Sequence, residues 1–213
     1  MDRAEEQGTA EILDGWSGEF RVFRPALRPG DGPGPDTGHD TDGVVLMGSR
    51  ASVLDDLEWL KALAAWMEPL VKGDLQVPVL GICFGHQLIA HLAGAEIGFV
   101  SADRGKRTGV ETSVLDGGRL LPGRAELNVV VSHREEVKTC PSRFRVVARR
   151  GSIEIDGLEH ETLPIFSFQF HPEGREEFAF HAGIAESSID ERVRRDNRSL
   201  LAAFREQVRQ TAR

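Results

Sequence analysis

Apolar positions along this chain switch between two periods. Continuous apolar runs, GVVLMGS at 43–49 and PVLGIC at 78–83, are bounded by glycine or proline and predict strands buried on both faces. Helical spacing follows each of them. Leu57, Leu60, Leu63, Ala64 and Met67 predict a helix over 55–73, opened by Asp55 or Asp56 and closed by Gly73. Trp59 and Trp66 share its packing stripe. Residues 87–93 predict a second helix, ended by Gly94. Upstream, GEFRVFRPA at 18–26 reads as a strand, and the Gly-, Pro- and Asp-rich stretch 28–43 as a loop. Residues 95–170 hold shorter β-like runs (TGVETSVL, LNVVVSH, FRVVARRGSIEIDGL, PIFSFQF) separated by turn signals. DNRSLLAAFREQVRQ at 196–210 predicts an amphipathic closing helix with Leu200, Leu201, Phe204 and Val208 inward.

This alternation predicts an α/β fold. A mostly parallel central sheet is flanked by helices, with a small antiparallel β section in the second half, all in one domain over 1–213. Such a sheet is expected to open with an apolar strand at its first residues. Here MDRAEEQGTAEI is polar and reads as part of a helix, so the first strand is missing or the start is called late.

Composition narrows the function classes. With 40% hydrophobic residues the chain can bury a sizeable core. A formal charge of −8 argues against a general nucleic-acid or membrane-surface role, because polyanions are repelled. Only Cys83 and Cys140 are present, so no disulfide framework is expected, and two lone cysteines suit a reducing, cytoplasmic compartment. No apolar run reaches the roughly 18 to 20 residues a bilayer span needs.

One constellation carries chemistry. Cys83 lies between a predicted strand and helix, with Gly81 and Gly85 at i−2 and i+2. A tight elbow needs small residues there, and a helix N-terminus favours the thiolate. The N–H of Phe84 then suits an oxyanion, with a second donor expected around Gly48 and Ser49. His171 and Glu173, at the end of FSFQFHPEG, supply a base and an orienting carboxylate; strand alternation would put both on one side. His86 reads as structural, and His91 lies on another helix face, so no zinc pair is expected. His39, His160 and His181 read as loop or surface-helix residues, and Cys140 as a loop cysteine.

GICFGHQLIAHLAG and QFHPE together resemble the nucleophile and base motifs of the class I glutamine amidotransferases, the Cys-His-Glu triad family. The resemblance runs from about Gly43 to Glu173 and implies a flavodoxin-like architecture. It implies Cys83 as nucleophile, His171 as base and Glu173 as orienting acid. It also implies that Gln87 lines the substrate pocket, that the backbone near Ser132 and His133 holds the amino-acid end, and that Gly48 and Ser49 lie at the oxyanion position. Gly48-Ser49-Arg50 departs from the Gly-Gly-Pro of many members and is similar to free-standing members related to the amidotransferase domain of GMP synthetase. The implied reaction hydrolyses the glutamine amide through a γ-glutamyl thioester, with no metal or cofactor, and passes ammonia to a separate synthase. Two alternatives stand beside it. One is a γ-glutamyl peptidase using the same triad. The other is a non-enzymatic scaffold, against which the three intact triad positions argue.

Overall fold

The two glycine- and proline-bounded apolar runs form neighbouring parallel strands. The computed structural model describes residues 3–34, 37 and 40–211. In chain order the elements are α1 (Arg3–Ile12), β1 (Val44–Leu46), α2 (Glu58–Lys72), β2 (Val79–Ile82), α3 (Phe84–Leu92), β3 (Ile97–Phe99), β4 (Arg107–Asp116), β5 (Arg124–His133), β6 (Glu135–Val137), β7 (Phe144–Arg150), β8 (Ile153–His160), β9 (Ile165–Phe168), α4 (Glu176–Ala182) and α5 (Glu191–Thr211). Seven strands form one sheet in the order β1-β2-β9-β8-β7-β4-β5, while β3 and β6 make a two-stranded antiparallel ribbon. β1, β2 and β9 run parallel. The pairings from β9 out to β5 are all antiparallel. The expected α/β architecture, a central sheet flanked by helices, is present, but only two of its six strand pairings are parallel, so the antiparallel part is larger than expected and continues the central sheet to one edge.

Side-chain alternation splits the core between the two faces. Val79 and Ile165 pack with Leu60, Leu63 and Met67 of α2 and Leu88 and Ile89 of α3. Leu80, Ile82, Phe166 and Phe168 face the other way, onto Leu200, Leu201, Phe204 and Val208 of α5, the inward residues its spacing predicts. Burying a side chain of this kind is worth about 1.5–3 kcal/mol. Among the described residues, no helix is long and apolar enough to cross a membrane, and no cluster of His, Cys, Asp or Glu is arranged to hold a metal.

Four expectations need correction. Residues 18–26 form no strand, and Phe20 is 60% exposed. Arg24 pairs instead with Glu5 of α1, which draws the segment onto a helix rather than a sheet edge. β1 is half-buried, not buried on both faces, because only β2 pairs with it. α2 starts at Glu58 behind Leu57 without a side-chain cap; the Asp55 carboxylate accepts from the Ser52 N–H instead. Gly73 does close it, with φ 86°. His160 is buried at the end of β8, where its Nδ1 accepts from the Thr162 and Leu163 N–H groups. The opening segment is helical over Arg3–Ile12, as its sequence reads, and His39 lies outside the described residues.

Candidate active site

The carboxyl ends of parallel strands are where open α/β sheets present side chains to a crevice. Here three such ends lie side by side. β1 leads to Gly48 and Ser49, β2 to Cys83, and β9 to His171 and Glu173. Cys83 adopts φ 52°, ψ −100°, which an L-residue holds only when its surroundings over-determine it. Those surroundings are close-packed backbones. The Cys83 N–H donates to Phe168 O at 2.8 Å. A Cβ at position 85 would lie 2.1 Å from Leu46 O, and one at 81 would lie 2.6 Å from Ile89 Cδ1. Both glycines are therefore required by contact. α3 begins at Phe84, a turn earlier than its spacing predicts, so the Phe84 N–H belongs to the first helical turn that lacks intrahelical partners.

His171 and Glu173 do meet, for a different reason from the one predicted. β9 ends at Phe168. His171 is held beyond it by an isolated antiparallel bridge, its N–H donating to Val130 O at 2.8 Å. A turn closed by the Gly174 N–H on His171 O then folds Glu173 back. His171 Nδ1–H donates to Glu173 Oε1 at 2.8 Å, and both side chains are buried. Nε2 of His171 has no hydrogen-bond partner among the described residues. Burial lowers the His171 pKa, but the charges of Glu173 and Cys83 outweigh it and push it up to about 10. A Cβ on Gly48 would come 2.9 Å from His171 Cε1 and 3.8 Å from Cys83 Cβ, so this turn borders both groups. Ser49 Oγ accepts from the Ala51 N–H and fixes the turn.

The remaining candidates divide. Gln87 is buried and its amide donates to Glu135 O at 2.7 Å and Gln169 Oε1 at 3.1 Å. Gln169 in turn donates to Cys83 Sγ at 3.6 Å. The residue pattern does not single out Gln169 as a site residue, although it begins the QFHPE run. Ser132 is half-buried and lies near His171 through the Val130 bridge. The His133 side chain turns into the core, donating from Nδ1 to Glu135 O and accepting at Nε2 from Arg150. Burial and the Arg150 charge lower its pKa to about 4. His86 is structural as expected. It is neutral, its pKa lowered to about 3 by burial, and it accepts from Ser167 at 2.8 Å. His91 and Cys140 are exposed.

The mouth is basic. Arg50, Lys106 and Arg134 are exposed, and the β4–β5 register continues to set Lys106 opposite Arg134. Partial burial lowers the Lys106 pKa; Cys83 opposes this, and repulsion from Arg134 and Arg50 adds to it.

A family model described as Glutamine amidotransferase class-I matches residues 34–182. Curated relatives include one subunit of a glutamine-hydrolysing GMP synthase from Pyrococcus furiosus, 39% identical over 101 residues, 47% of this chain and 53% of that protein. The match thus spans about half the length of the archaeal relative. Another is a glutamine-hydrolysing GMP synthase from Gibberella zeae, 39% identical over 65% of this chain and 25% of its own length. Among solved structures, a glutamine amidotransferase from Methylobacillus flagellatus matches with TM-score 0.78 and 22% identity, covering 95% of this chain and 88% of that one. A second, from Thermotoga maritima, matches with TM-score 0.73 and 20% identity over 94% and 90% of the two chains.

Proposed function

This chain belongs to the class I glutamine amidotransferases, and from that premise we propose that it hydrolyses the side-chain amide of glutamine through Cys83, His171 and Glu173. The observation that carries the reading is the buried His171–Glu173 contact at 2.8 Å beside a strained Cys83, at the shared carboxyl end of three parallel strands. The Cys83 sulfur attacks the amide carbon. The oxyanion that forms accepts from the Phe84 N–H and from the Gly48-Ser49 turn, a contribution of about 3 kcal/mol for one such donor. His171 delivers its proton to the nitrogen, the C–N bond breaks, and ammonia leaves a γ-glutamyl thioester. Water then gives its proton to His171 as its oxygen attacks the thioester, the C–S bond breaks, and glutamate is released. Glu173 holds the imidazole and stabilises its cation. Ser132 and the backbone near His133 hold the amino-acid end, and Gln87 supports the pocket through Gln169 rather than by direct exposure.

The ammonia goes to a separate synthase chain, in keeping with the archaeal relative, which is named as one subunit of a GMP synthase. Two free cysteines suit work in the reducing cytoplasm. A second reading, γ-glutamyl peptidase, shares every step. Its specific support is the basic mouth, since the leaving group of a γ-glutamyl amino acid carries a carboxylate that Arg50, Lys106 and Arg134 could attract.

The test is glutamate release from glutamine, beside a γ-glutamyl dipeptide panel. Glutamine turnover that falls by roughly 10³-fold or more in Cys83→Ala is the expected result. A tenfold or greater preference for the dipeptides would replace the first reading with the second. Turnover that survives in Cys83→Ala would overturn both.

A further inference from the structure

We propose that α1 is a positioning element of the His171–Glu173 pair, acting chiefly through Glu11. The inference rests on the proposed roles of Cys83, His171 and Glu173.

Three contacts converge on that pair from one short helix. The first is direct. Gly8 lies so close to Glu173 that a Cβ there would stand 3.1 Å from Glu173 Cγ and 3.5 Å from Met47 Cε. Glycine inside a helix costs about 1 kcal/mol relative to alanine, and here its bare face lets the helix backbone lie against the triad carboxylate. The second contact runs through Arg175, which is 1% exposed. Its Nη1 donates to Pro172 O at 3.0 Å and to Gly174 O at 2.7 Å, the two carbonyls that flank Glu173 in the chain. Its Nη2 donates to Glu11 Oε2 at 2.8 Å. A buried guanidinium needs a charged partner, and Glu11 is the carboxylate that orients this one. The third contact runs through α4. Gln7 donates to Glu176 Oε2 and accepts from the Glu177 N–H, which ties α1 to the start of α4. From α4, Phe178 packs at a tilt of 40° against the His171 ring, with centroids 4.3 Å apart.

α1 is itself clamped in place. Arg198 of α5 donates to the Glu11 carboxylate, and burial, which would raise the Glu11 pKa, is outweighed by Arg198 and Arg175, so the group stays ionised. Arg205 donates to Glu11 O and Ile12 O, and Arg209 to Gly15 O, closing the carboxyl end of α1. Glu11 touches neither Cys83 nor the imidazole. It acts on Glu173 through Arg175 and the two carbonyls.

The test compares Glu11→Gln with Glu5→Gln. Glu5 lies on the same helix but accepts from Arg24 of the 18–26 segment and has no hydrogen bond to the triad, so it reports the stability of the helix and its attachment alone. Two readouts serve. One is kcat and KM for glutamine. The other is the pH dependence of iodoacetamide alkylation at Cys83, followed by mass spectrometry of its peptide so that Cys140 does not interfere. The second readout needs no substrate, so it tests the inference even if the protein proves inactive on glutamine. Glu11→Gln is expected to lower kcat about tenfold with KM within twofold, a change of about 1.4 kcal/mol in the barrier. It is also expected to move the alkaline limb of the alkylation profile, where His171 loses its proton, to lower pH by about one unit, because a displaced Glu173 supports the imidazolium less well. Glu5→Gln should leave both readouts at the wild-type value. Wild-type kcat and an unmoved limb in Glu11→Gln, or equal shifts in the two variants, would overturn the inference. Should Glu11→Gln fail to fold, Gly8→Ala substitutes for it. The added methyl favours the helix yet presses on Glu173, so the alkaline limb should still fall, and an unmoved limb overturns the inference.

Discussion

The two halves of the sheet are held by different forces. In the parallel half, β1, β2 and β9 position their residues by shape: Leu80, Ile82, Phe166 and Phe168 are buried, and glycines at 81 and 85 let backbones touch. In the antiparallel half, charge does the same work. Arg150, 2% exposed, donates to Asp156 at 2.9 Å, to Glu111 at 2.6 Å and to His133 at 3.0 Å. Ser113 adds a bond to Asp156 at 2.6 Å, and Arg107 a bond to Glu111 at 2.7 Å. Burial still leaves the Asp156 pKa raised despite Arg150. The candidate nucleophile and base rise from the half ordered by packing, while the charged network stiffens the strands that bring Val130 and Ser132 alongside. The comparison teaches that a small steric change should disturb chemistry in one half, whereas an unpaired charge should disturb folding in the other.

The largest break is expected at Gly85→Ala. A methyl 2.1 Å from Leu46 O cannot be absorbed by a side-chain rotation, because the backbone fixes the Cβ and Leu46 O is itself backbone. The elbow must shift, and a displacement of about 1 Å costs roughly 100-fold in rate. Steady-state glutamate release should show this loss in protein that still folds by circular dichroism; full activity would refute the shape argument. Next comes Arg150→Met, which strands the Asp156 carboxylate and should cost about 3–5 kcal/mol in urea unfolding. Adding Asp156→Leu should recover part of that loss, since an apolar pair replaces a buried ion pair at little net cost.

A third experiment separates the halves by pH. His133 holds a pKa of about 4 in the fold, below its ordinary 6.5, so its contribution to stability is complete above about pH 6.5 and is lost as pH falls toward 4. His171, at about 10, behaves oppositely: its contribution is complete below about pH 6.5 and is lost as pH rises toward 10. Each slope approaches about 1.4 kcal/mol per pH unit. Urea midpoints across pH should therefore flatten on the acid side in His133→Gln and on the alkaline side in His171→Gln. The smallest effect is expected at Lys61→Ala. Its pairs with Asp56 and Glu58 are exposed, so the urea midpoint should stay at the wild-type value.

Much of this molecule is legible in its residue pattern. Apolar runs at 43–49 and 78–83, the helical spacing over 55–73 and 196–210, and the glycines around Cys83 each encode a local preference, and each element forms. Two motifs mark Cys83, His171 and Glu173 as candidates, because such motifs carry both chemistry and turn geometry, but Cys83 and His171 are far apart in the chain and meet only because β2 pairs with β9. Other features are long-range and leave no local trace. FRVFRP alternates like a strand, yet a strand exists only with a ladder partner, and Arg24 finds Glu5 instead. The run around His133 points to its backbone and that around His160 to a loop, and only the fold surrounds their side chains with Arg150 or with the Thr162 and Leu163 amides. The polar opening segment reveals its helix but not the use of that helix. That Gly8 rests on Glu173 and Glu11 on Arg175 is decided by tertiary packing, because it joins residues more than half the chain apart.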